Sequence, residues 1–236
     1  MERPSVAAGC PPGLEYLTQI DQLVVKQQVE IMELITSWEC ANKYRVMNSV
    51  GQQVYFAQEE SETCMRQCCG PSRSFIIHIT DNAGREVLRL KRDFKCCAMG
   101  LCWCAGMSCC SHEVVVESPV GQIIGYVRHS ASAWRPKFTL YTGDEQEIGH
   151  IKGPLCICKG PCCGDIDFPV MSNDGETKIG NVAKQWSGAL REFFTDADTF
   201  SISFPMDMDV KMKGVMIGAL FLIDFMFFEE SKNNNH

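Results

Sequence analysis

The stretch from Lys43 to Gly70 reappears 94 residues later, and this repetition restricts the chain to folds built from two similar halves. Lys43-Tyr44 matches Lys137-Phe138, Val46 matches Leu140, and Gln53-Val54 matches Glu147-Ile148. Cys64 falls on Cys158, and Cys68-Cys69-Gly70 falls on Cys162-Cys163-Gly164. Beyond these the offset shortens to 91, where Gly84 meets Gly175. We read two halves, about 21–92 and 113–190, joined by a cysteine-rich segment.

Each half reads as antiparallel sheet. Short apolar runs flank tight polar turns at Asn48-Ser49-Val50-Gly51, Asp81-Asn82-Ala83-Gly84, Ser118-Pro119-Val120-Gly121, Gly143-Asp144 and Asn173-Asp174-Gly175, which are hairpin signals. Phe75, Ile77 and Ile79 alternate with Ile76, His78 and Thr80, so one face is wholly apolar. Five hairpins give about ten strands, and closing them into a barrel removes the unpaired edges. Leu23–Trp38 carries a helical stripe as well. Its counterpart, Val114–Val127, contains Pro119 and Gly121, so we read strand for both.

Fifteen cysteines are unusual in 236 residues. Their odd number, and a segment Met1–Pro12 with no apolar signal region, argue against a secreted disulfide framework. The thiols are expected to be reduced, metal-bound or acylated. Cys64-x₃-Cys68 and Cys158-x₃-Cys162 occupy equivalent positions in the halves, so the pairs could meet as a four-thiolate zinc site; separate structural cysteines are the favoured reading. The net charge of -7 gives no global basic field that draws the chain to nucleic acid or to anionic lipid. His78, His112, His129 and His150 stand without a paired nucleophile motif, and there is no phosphate-binding glycine loop, so no enzymatic activity is expected.

Val215–Phe228 is the strongest apolar run and contains Asp224. As a helix it reaches about 21 Å, short of the ~30 Å hydrocarbon core of a bilayer. A carboxylate inside it adds a further cost to membrane insertion, about 2.5–3.5 kcal/mol. A core helix threaded through the barrel is the favoured reading, and a single membrane pass of type II orientation is the other.

Several long motifs then resemble one family. Pro11-Pro12-Gly13-Leu14-Glu15-Tyr16-Leu17, Cys69-Gly70-Pro71-Ser72-Arg73, the run Arg191–Asp198, Asp209-Val210-Lys211-Met212-Lys213 and Phe221–Phe228 look like the phospholipid scramblases, and the similarity runs from about Cys10 to Glu229. The resemblance implies a mainly β, tubby-like fold: a closed antiparallel barrel of about 12 strands, in two similar halves, around a C-terminal hydrophobic helix. It divides the chain into a short disordered segment at 1–12, the domain at 13–228 and a polar tail at 229–236. It also implies calcium-dependent, ATP-independent, bidirectional movement of phospholipids between the leaflets of the plasma membrane. The partner is then the inner leaflet, reached from the cytoplasmic face, with protein partners besides. Nuclear entry is at most minor, because Gly180–Gly188, where some relatives carry an import segment, offers a single lysine.

Two sites follow from the resemblance. Cys96, Cys97, Cys102, Cys104, Cys109 and Cys110 match the position of the family's palmitoylation cluster. Acylated thiols beside Leu101, Trp103 and Met107 could hold a bilayer, each buried methylene contributing about 0.8 kcal/mol; a buried cysteine loop or zinc knuckle is the alternative. Asp196, Asp198, Thr199, Ser201, Ser203 and Asp207 fall on the family's calcium segment and offer the hard oxygens that Ca²⁺ requires. The segment is a poor EF-hand, and Phe200, Ile202 and Phe204 alternate as a strand with acidic ends would. Family members usually carry a Pro-rich segment ahead of this domain, and this chain opens almost directly at it. That gives an expectation of weak or absent scrambling, with a palmitoylated, membrane-tethered lipid-binding or adaptor protein as the alternative.

Overall fold

The turn chemistry and the alternation of apolar residues are realised as twelve strands, each antiparallel to both of its neighbours, with β1 closing onto β12. The computed structural model describes residues 9–28, 41–95, 110–132, 134–155, 157, 164–185 and 198–229. The strands are β1 (Gln22–Gln28), β2 (Lys43–Asn48), β3 (Gln53–Glu60), β4 (Phe75–Asp81), β5 (Glu86–Arg92), β6 (Glu113–Glu117), β7 (Ile123–Ser130), β8 (Lys137–Thr142), β9 (Glu147–Lys152), β10 (Ile166–Ser172), β11 (Lys178–Gln185) and β12 (Thr199–Ser203). A short helix, α1 (Thr63–Cys69), follows β3. A long one, α2 (Val210–Ile223), follows β12 and runs into a π-helical turn, Asp224–Phe228.

All five expected hairpins form. Four of their turns hold a glycine at positive φ: Gly51 at 79°, Gly84 at 76°, Gly121 at 91° and Gly175 at 74°. In the fifth turn Glu145 takes that conformation, at 59°. Glycine suits these positions because it has no Cβ to clash there. Asn48, Asp81 and Asp174 brace three of the turns by accepting hydrogen bonds from backbone N–H groups within them. Leu23–Gln28 is strand, as read; residues 29–38 of the same stretch lie outside the described residues.

The repeat is visible in the irregularities of the sheet. The pairing of β2 with β3 shifts register at Val46/Met47, and that of β8 with β9 shifts at Leu140/Tyr141, 94 residues on. The β4–β5 pairing shifts at Ile79/Thr80, and the β10–β11 pairing at Val170/Met171, 91 residues on. Each half contains six strands, β1–β6 and β7–β12. This moves the expected boundary, because β6 closes the first half and β12 completes the second. The tight β6–β7 turn joins the halves, whereas the sequence reading placed β6 at the start of the second.

Inward side chains of the strands and α2 form one hydrophobic core, in which the helix is buried from Met212 to Ile223. Val215, Met216, Ala219, Leu220, Phe221 and Leu222 have no exposed surface. A helix apolar all round must be enclosed on all sides, and the barrel encloses it. The core-helix reading therefore holds. Among the described residues no helix is long and apolar enough to cross a membrane, so the single-pass alternative has no support. Asp209 caps the helix by accepting from the N–H groups of Lys211 and Met212.

The helix approaches β7 so closely that Gly125 has no room for a side chain. A Cβ there would lie 2.4 Å from the Tyr141 carbonyl oxygen and 2.5 Å from a Val215 methyl. Because one obstacle is backbone, Gly125→Ala is expected to destabilise the barrel by about 1–3 kcal/mol, read as a lower denaturation midpoint. An unchanged midpoint would show that β7 and α2 are less tightly apposed.

Candidate functional site at the long-connection end

Twelve alternating strands give the barrel two chemically different ends. One carries the five hairpin turns and the connection from β12 into α2. The other carries α1 and the connections β1–β2, β3–β4, β5–β6, β7–β8, β9–β10 and β11–β12. Among the described residues Cys64, Cys68, Cys69 and Cys110 belong to connections at this second, long-connection end.

The helix arrives at this end, where its last turns are held by buried charge. Arg73, 1% exposed, donates from Nε and Nη2 to the two carboxylate oxygens of Glu59 at 2.6 and 2.8 Å. It donates from Nη2 and Nη1 to Glu229 at 2.6 and 2.9 Å. Glu229 was read as the first residue of a polar tail, yet it ties the end of the helix to β3 and the segment before β4. Asn42 completes the cluster, donating through its side chain to Glu229 and through its backbone to Glu59. Burial raises the affinity of Glu59 for protons, but the hydrogen bonds and charge of Arg73 outweigh it and hold Glu59 below the usual carboxylate range.

One turn deeper, Asp224 is enclosed and accepts a hydrogen bond from the Tyr44 hydroxyl at 2.9 Å. Burial, with Asp198 and Glu229 nearby, pushes its proton affinity well above the ordinary range and so favours its neutral form. Arg92 lies over the Phe75 ring and donates to the Arg73 carbonyl. Burial, with the Arg73 charge, brings its pKa down to about 9. At the turn end, Lys213 is fully buried and donates to the carbonyls of Leu17, Ile20 and Met206. Sequence reading missed the Arg73 cluster and the role of Lys213. The signal was present: ionisable residues beside or within an apolar run must find buried partners.

The acidic segment is divided by β12. Asp198 precedes it and pairs with Lys184 at 2.7 Å; Asp207 follows it, at the turn end. The strand between them is roughly 16 Å long, so the two carboxylates do not meet. Thr199, Ser201 and Ser203 alternate with the inward Phe200 and Ile202. Their hydroxyls therefore line the outer face about 7 Å apart, a row that cannot converge on an ion needing oxygens at 2.3–2.6 Å. As placed, these residues do not fit one calcium ion. Asp196 lies outside the described residues.

Cys64 and Cys68 are exposed on α1 with their sulfurs 3.9 Å apart. Cys158 and Cys162 lie outside the described residues, as do Cys96, Cys97, Cys102, Cys104 and Cys109. Cys110 is 5% exposed. Among the described residues no three His, Cys, Asp or Glu side chains come together to hold a metal.

Residues 1–230 match the family model described as Scramblase. Phospholipid scramblase 1 of Rattus norvegicus is 50% identical over 233 residues, covering 99% of this chain and 67% of that protein. Phospholipid scramblase 1 of Homo sapiens is 49% identical over 98% of this chain and 70% of its own length. Phospholipid scramblase 2 of Homo sapiens is 46% identical over 98% and 75%. No solved structure matches.

Proposed function

The chain belongs to the scramblase family, and from that membership we propose that it moves phospholipids in both directions between the leaflets of the plasma membrane, activated by calcium and without ATP. The observation that carries this reading is identity near one half across the whole barrel to proteins named phospholipid scramblase. Lipid movement needs a protected route for a polar headgroup. The barrel axis is not that route, because α2 fills it with side chains that have no exposed surface. Lipid is therefore handled on the outside of the barrel, with the protein held at the cytoplasmic face by acyl chains on the mid-chain cysteines. Two such chains suffice for stable anchoring.

The enclosed helix favours a second reading, a membrane-tethered lipid-binding or adaptor protein that does not exchange lipid. One experiment separates them. In liposomes carrying the protein and a leaflet-selective fluorescent lipid, calcium is expected to accelerate probe exchange in the absence of ATP. No acceleration with correctly folded, membrane-bound protein would leave the adaptor reading standing. Calcium dependence enters through the likeness of the acidic segment, and Asp198 is the carboxylate that tests it. Asp198 is paired with Lys184 and lies a strand's length from Asp207, so a calcium response shifted to higher concentration in Asp198→Ala would show that Asp198 binds calcium apart from the rest of the segment, and an unchanged response would remove it from calcium binding.

A further inference from the structure

Two thiols on α1 are placed to react with each other. Cys64 and Cys68 are both exposed, about one helical turn apart, with their sulfurs 3.9 Å from one another. Two thiolates are half of a tetrahedral zinc set, and among the described residues no third metal ligand joins them. An acyl chain takes a single thiol and makes no use of the pair. The chemistry that uses two sulfurs this close is disulfide formation.

The bond does not fit the helix as it stands. Cα atoms four residues apart on a helix lie about 6 Å apart, within the range a disulfide spans. Their Cβ atoms stand about 5–6 Å apart, whereas a disulfide holds them at roughly 3.5–4.5 Å. Closing the bond therefore distorts α1. The helix can yield: it has seven residues and no side-chain hydrogen bond at its N-cap, and helices this short are marginal without tertiary support. A disulfide that is strained and exposed is also readily reduced again.

The distortion falls on Arg66, midway between the two cysteines. Its guanidinium donates to the Ser61 carbonyl and hydroxyl oxygens, and that hydroxyl donates to Glu59. Its carbonyl accepts from the Gly70 N–H, and the Gly70 carbonyl accepts from the Arg73 side chain at 2.9 Å. Arg66 thus ties α1 on both sides to partners of Arg73, the residue that fastens the end of α2.

We propose that Cys64 and Cys68 form a reversible thiol–disulfide site, closed by a peroxide, whose oxidation loosens the fastening of the helix end. One thiolate attacks hydrogen peroxide and becomes a sulfenic acid, and the second oxygen leaves as hydroxide and is protonated to water. The other thiolate then attacks the sulfenic sulfur and expels a second hydroxide, which is protonated in turn. The two thiols give up two electrons and two protons, and one peroxide becomes two waters. A thiol reductant reverses the reaction by exchange. The hydrogen bond with Cys68 raises the Cys64 thiol above its ordinary value, so closure speeds up as pH rises. This site stands apart from the lipid-movement reading and holds whether or not the chain exchanges lipid.

The test uses the full chain, reduced and then treated with hydrogen peroxide, its remaining thiols alkylated before tryptic digestion. Cleavage after Arg45, Arg66 and Arg73 leaves Cys64 in peptide 46–66 and Cys68 with Cys69 in peptide 67–73. The two peptides are expected to be linked, with fragmentation placing the bond at Cys68, and dithiothreitol is expected to separate them. The oxidised parent is expected to melt about 3 °C below the reduced one and to exchange its amides faster at residues 226–229. Cys64→Ser/Cys68→Ser, substituted at the surface, is expected to match the reduced parent and to shift by about 1 °C or less under the same peroxide. Should that variant melt differently when reduced, the linked mass and the exchange at 226–229 in the parent decide alone. Unlinked peptides while other thiols oxidise, a bond from Cys64 to Cys69, or one equivalent of zinc held by the parent and lost in the variant would each overturn the disulfide site. A reversible bond with unchanged melting and exchange would overturn its hold on the helix end.

Discussion

Arg73→Ala is expected to destabilise the fold by about 3–5 kcal/mol, because it strands two carboxylates in the core. Arg73 satisfies Glu59, Glu229 and the Gly70 carbonyl at once, and its guanidinium lies 4.7 Å from the centre of the Phe225 ring. Removing it takes away the charge and the planar stack together. In a domain of this size the melting temperature should fall by roughly 10 °C. Arg73→Lys should recover only part of that loss, since an ammonium cannot serve two carboxylates in a fixed fork. Arg85, 56% exposed at its side chain and paired with Asp81, supplies the contrast. Its replacement by alanine should change stability by no more than about 1 kcal/mol. If both alanine variants melt alike, the cluster is not what fastens the end of the helix.

Asp224→Asn is expected to flatten the loss of stability toward alkaline pH. Asp224 binds its proton more tightly when folded than when unfolded. Its contribution is therefore complete below the unfolded carboxylate pKa of about 4 and is lost as pH rises toward the folded value. Within that window the loss approaches 1.4 kcal/mol for each pH unit. Asparagine stays neutral and still offers Tyr44 an acceptor, so at pH 8 the variant should be the more stable protein. Glu59 works with the opposite sign: its folded pKa is lowered, so its contribution is lost as pH falls below the usual carboxylate range. Chemical denaturation from pH 5 to 9 checks the prediction, and parallel curves for the two proteins would show that Asp224 is ionised in the fold.

The hairpins and the repeat were legible because turns and register are local matters. Asn48–Gly51 and Asp81–Gly84 carry their own conformational preferences, and the 94-residue spacing survives as matched bulges in β2/β3 and β8/β9. The length and composition of Val215–Phe228 likewise pointed to enclosure within protein. What could not be read was which charges meet. Arg73, Glu59 and Glu229 are separated by up to 170 residues, and no local pattern reports that a strand, a connection and a helix end converge. The acidic run from Asp196 to Asp207 looked like one cluster for the converse reason. Proximity in sequence suggested a single site, while an extended strand carries its two ends far apart.

By itself the sequence determined an all-antiparallel sheet in two related halves with a fully apolar helix to bury, since side-chain periodicity and turn chemistry act over a few residues. Only the tertiary structure decided that β12 seals the barrel against β1, and that the helix end is fastened by Arg73 and Asp224. It also decided that α1, with Cys64 and Cys68, lies at the same end as the fastened end of the helix. These depend on closure of the sheet, which alternates strand direction around the whole ring and so sorts distant connections into two opposite surfaces.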